Sequence, residues 1–160
     1  MKDNKAFTIL FAVITSSLIL ALGLGIVAIT MKEVKLSGAG RDSQLAFYAA
    51  DSGLECAEYY DVVNGAFATS SESVGYSTEI ECNNYDVQVN PIYSGGDSAT
   101  STFEMYMEYD HDNSAPIVSK PCATVKVYKY AGKTTIDSRG YNTCNEDNPS
   151  RLERGYSVKY

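Results

Sequence analysis

The sequence predicts an α+β fold: one long N-terminal helix, membrane-spanning over its first half, packed on a small antiparallel β-sheet head. Three observations carry that expectation. Residues 7–31 form a run of 25 uncharged, mostly apolar residues. Residues 32–63 contain no proline and repeat small or apolar side chains at helical intervals. Beyond residue 77, apolar and polar side chains alternate with period two between turn-forming clusters.

The apolar run comes first. At ~1.5 Å per residue it spans about 37 Å as a helix, enough to cross a ~30 Å hydrocarbon core with some tilt. A short leader with Lys2, Asp3 and Lys5 precedes it, and Lys32, Glu33 and Lys35 follow. A secretory signal has an apolar core of only ~7–15 residues and ends in a small-residue cleavage box. No such box follows residue 31, so the segment is expected to stay on the chain as a membrane tether. The leader lysines are offset by Lys32, Lys35 and Arg41, so Lys/Arg bias does not set the orientation. Within residues 32–63, Leu45, Ala49, Gly53, Cys56 (or Ala57) and Tyr60 line one narrow face, and Arg41, Asp42, Gln44, Asp51, Glu55 and Glu58 occupy much of the rest. One helix is expected over residues 7–63, loosened at Gly38-Ala39-Gly40 and ended by Gly65. Gly23 and Gly25, near Ala21 and Ala28, offer small surfaces for close helix approach.

The β-sheet head occupies residues 64–160. Residues 78–82 and 85–90 read as strands joined by a two-residue turn at Asn83-Asn84. Residues 93–101, with Gly95-Gly96, read as a loop. Residues 102–109 set Phe103, Met105, Met107 and Tyr109 against Glu104, Tyr106 and Glu108. Residues 123–130 alternate likewise, and residues 134–137 and 155–160 complete an antiparallel sheet of about five strands. Among 13 tyrosines, Tyr106 and Tyr128 fall on the outer strand face, where structural use is the simpler reading.

Cys56, Cys82, Cys122 and Cys144 lack the close pairing of zinc sites and read as two disulfides in an oxidising compartment. Three connectivities are open. Cys56–Cys82 with Cys122–Cys144 is favoured, because a four-residue turn near Ala131-Gly132-Lys133 places Cys122 opposite Thr143. The formal charge of −7 argues against nucleic-acid binding, which needs clustered Lys and Arg. Asp110, Asp112 and Asn113 form a weak calcium candidate without EF-hand spacing, and an exposed turn is the default reading. With a single histidine and no nucleophile motif, the chain is expected to be neither an enzyme nor a cofactor binder.

The short leader, the apolar helix start and the cysteine-bearing β head together resemble the type IV pilins and type II pseudopilins. The segment Lys5-Ala6-Phe7-Thr8-Ile9-Leu10 is similar to their processing motif, and Ala46-Phe47-Tyr48-Ala49-Ala50-Asp51-Ser52-Gly53 is similar to an Ala-rich segment of some minor pilins. The resemblance implies cleavage between Ala6 and Phe7 by a prepilin peptidase, with methylation of the new amino group. It also implies a lollipop-shaped subunit: leader 1–6, filament-core helix 7–31, continuation 32–63 and head 64–160. Two positions differ from the usual pattern. Ala6 stands where glycine is commonest, and Phe11 stands where most pilins carry a Glu, a substitution also met in minor subunits. The implied partners are other pilin subunits and the inner-membrane assembly machinery, with the membrane holding the subunit before it enters an extracellular filament. The implied roles are attachment, twitching motility or DNA uptake. The alternative is a single-pass, membrane-anchored extracytoplasmic binding module that does not polymerise.

Overall fold

The computed structural model of this chain describes residues 5–67, 69, 79–93, 98–107 and 120–160. Its elements are helix α1 (Lys5–Val62) and strands β1 (Glu79–Cys82), β2 (Tyr85–Gln88), β3 (Asn90–Tyr93), β4 (Ser98–Tyr106), β5 (Cys122–Tyr130), β6 (Lys133–Tyr141) and β7 (Glu153–Lys159). The architecture is α+β, with the helix packed against an antiparallel sheet. The chain divides into two compact units, Met1–Gly40 and Arg41–Tyr160. In the first, α1 runs unbroken through Gly38 and Gly40, so the expected loosening there is absent.

In the second unit the helix ends as the sequence indicated. Gly65 has φ +58°, and its N–H donates to the Asp61 carbonyl at 3.2 Å, the left-handed cap that glycine takes without a Cβ penalty. The buried face of the helix is Ala46, Ala49, Ala50, Gly53 and Ala57. Leu45 departs from its expected place. It is only half-buried, because the stripe is centred one residue further on, at Ala46 and Ala50. The reason is contact with backbone. A Cβ on Gly140 of β6 would collide with the main chain of Ala46 and Ala50, so only glycine fits at residue 140. Across the same seam, the Ser138 hydroxyl donates to the Ala50 carbonyl at 2.7 Å.

The strands form two antiparallel sheets, β1-β2 and β3-β4-β5-β6-β7, the second a meander in chain order. Its inner face buries Phe103, Met105, Val125, Val127 and Ile136, and Phe67 stacks on Phe103 at 6.0 Å. Tyr106 and Tyr128 lie exposed on strands, as their alternation indicated. Asn83 and Asn84 (φ 54° and 63°) make the two-residue turn between β1 and β2, with Cys82 opposite Tyr85.

Three expectations are corrected here. Residues 85–90 are not one strand: the chain leaves the small sheet at Val89 and enters the large one at Asn90. Proline 91 sits in β3, an edge strand, where a missing N–H is tolerated. Residues 98–101 belong to β4 rather than to a loop, with Ala99 and Ser101 buried against β5. The β5–β6 turn has two residues, Ala131 and Gly132 (φ 48° and 77°), which sets Cys122 opposite Tyr141 rather than Thr143.

Candidate functional site

The feature that asks for a function is the surface of α1 in the first unit. Every apolar side chain larger than alanine from Phe7 to Met31 is exposed, Phe7 by 70% and Ile19 by 69%. A globular protein hides such side chains, since each buried Leu, Ile or Phe is worth about 1.5–3 kcal/mol. The segment carries no charge, and it belongs to a helix long and apolar enough to cross a membrane.

Its hydroxyls fit the same setting. Thr15 donates to the Phe11 carbonyl at 2.9 Å, Ser16 to Val13 at 3.0 Å, Ser17 to Ile14 at 2.9 Å and Thr30 to Ile26 at 3.0 Å. These four hydroxyls are therefore satisfied within the helix, as a medium without water requires. Gly23 and Gly25 have no neighbouring atoms within 4 Å of a built Cβ, leaving two open notches in the apolar surface.

The other predicted residues fall as follows. Phe7 lies in the first turns of α1, and Ala6 lies in the same helix with its side chain outside the described residues. Cys56 pairs with Cys82 and Cys122 with Cys144, at Cα separations of 5.9 Å and 5.7 Å. The first bond joins α1 to β1. The second closes the β5–β6 hairpin onto the segment after it, where the Cys144 N–H also donates to the Lys120 carbonyl at 3.1 Å. Ala49 and Gly53 sit in the helix–sheet seam. Asp110, Asp112 and Asn113 lie outside the described residues.

Sequence reasoning missed a polar cluster in the second unit. Asp61, in the last turn of α1, pairs with Lys129 of β5 and accepts a 2.9 Å hydrogen bond from the Tyr160 hydroxyl. Burial, then the hydrogen bond and charge of Asp61, then the charge of Glu58, push the Tyr160 phenol well above its ordinary value. The signal available was Lys129 itself, a lysine at an inward position of an alternating strand.

Comparison with family models, with curated proteins and with solved structures returns no match for this chain.

Proposed function

We propose that this chain is a non-enzymatic filament subunit of the type IV pilin kind, inserted in the inner membrane through residues 7–31 before assembly. The observation that carries the reading is the uncharged, all-round exposed apolar surface of α1 from Phe7 to Met31, joined to a disulfide-bearing head. Lipid covers that surface while the subunit waits. In the filament, the helices of neighbouring subunits replace the lipid, and Gly23 and Gly25 admit their close approach. Cleavage between Ala6 and Phe7 by a prepilin peptidase releases the helix for assembly, and the head stands outside the cytoplasm, where its cysteines oxidise. The partners are other pilin subunits and the assembly machinery, and the filament serves attachment, motility or DNA uptake.

The test is N-terminal sequencing and mass analysis of protein recovered from sheared cell-surface material. A chain beginning at Phe7 in the filament fraction is the expected result. A chain keeping residues 1–6 and found only in membranes would replace this reading with that of an anchored binding module.

A further inference from the structure

Three side chains of the second unit meet where α1 ends. The Asp61 side chain is 4% exposed and that of Lys129 15%. Lys129 Nζ touches Asp61 Oδ1, yet that oxygen accepts no well-formed hydrogen bond among the described residues. An ordinary ion pair aims an N–H at the oxygen; here contact is made without that alignment. Asp61 Oδ2 takes the Tyr160 hydroxyl at 2.9 Å. In the ladder, Lys129 lies between Ala99 and Thr134, both buried. Glu58, the other charged group acting on Tyr160, sits one turn earlier on α1.

We propose that Lys129 and Asp61 condense to an intramolecular isopeptide bond that ties α1 to β5. An amine and a carboxyl held in contact, the carboxyl almost wholly buried, are the two reactants of an amide. The step opens with transfer of one ammonium proton from Lys129 Nζ to Asp61 Oδ1, which it touches. The freed Nζ lone pair attacks Cγ, and the carbonyl electron pair moves onto Oδ2, which the Tyr160 hydroxyl stabilises by hydrogen bonding. A proton moves from the nitrogen to the Oδ1 hydroxyl, the Cγ–Oδ1 bond breaks, and the carbonyl re-forms. One C–N bond is made, one C–O bond is lost and one water leaves; nothing is oxidised or reduced. A cavity of about 410 Å³ beside Lys129, lined also by Thr69, Tyr130, Gly132 and Thr134, offers the water an exit. Fixed proximity supplies the driving geometry, since well-oriented intramolecular partners act at effective concentrations of about 10⁵ M and above.

The experiment is peptide mapping by mass spectrometry of the full chain, purified in detergent, reduced, alkylated and digested. The expected result is a branched peptide joining the segments of Asp61 and Lys129, lighter by one water than the two separate peptides. Asp61→Ala and Lys129→Arg should each abolish it, and Tyr160→Phe should slow its appearance several-fold. Recovery of both segments only as separate linear peptides, from protein whose two disulfides had formed, would overturn the proposal. An unchanged rate in Tyr160→Phe would overturn the role given to the phenol. The branched peptide does not depend on the N-terminus, so this result stands apart from the filament reading.

Discussion

Gly140 is the residue on which helix and sheet close most tightly. Gly140→Ala should destabilise the protein by about 1–3 kcal/mol or more, because its neighbours are helix backbone and cannot rotate away. Gly53→Ala should cost less, since the added methyl meets the side chains of Ser138, Val125 and Ala123 at 2.8–3.0 Å. Urea denaturation of the full chain in detergent compares the two. Tyr160 gives a pH test. Its phenol titrates above the ordinary value of 10.0 in the folded state, so its stabilisation is complete below about pH 10. Above that pH the unfolded chain loses the proton first, and stability falls as pH rises. Tyr160→Phe should flatten the part of that decline due to this residue, leaving the part from Tyr141, which burial and Glu153 also raise. Gly140 was not legible, since the strand expected from the pattern stops at residue 137 whereas β6 runs on to Tyr141; which backbone approaches it depends on contacts roughly ninety residues away in sequence, since the neighbouring Ser138–Ala50 bond spans 88.

Among the elements, the helix was the most legible, because a charge-free run and a missing proline are local facts. Its end was equally local, written in Gly65. Strand edges were less so: residues 85–90 alternate without a break in pattern, while the change of sheet at Val89 follows from which partner each half meets. The β5–β6 turn was misjudged by length, since Ala131 adopts a left-handed φ of 48° that its residue type does not advertise. The apolar segment yields its own prediction. Ile19→Lys, near the middle of residues 7–31, should cost about 2.5–3.5 kcal/mol of membrane insertion and shift the protein toward unintegrated material, read by carbonate extraction of membranes.

For the whole molecule, the disulfides tie down a small core. Replacing either pair with serines should cost about 2–4 kcal/mol, seen as a lower urea midpoint, and the untreated folded chain should resist alkylation at all four positions. Under the filament reading, Ala6→Leu should block both processing and incorporation into sheared filaments. Retention of both would remove that mechanism. The meander order of β3 to β7 has a kinetic consequence. Every pairing in the large sheet joins consecutive strands, so the sheet can zip up hairpin by hairpin at small loop-closure cost. The helix seam is different: it waits for β6, a long way down the chain, before Gly140 and Ser138 reach Ala46 and Ala50. Helix docking is therefore the late event of folding. Mutations in the seam should chiefly speed its opening and leave the rate of sheet formation nearly untouched.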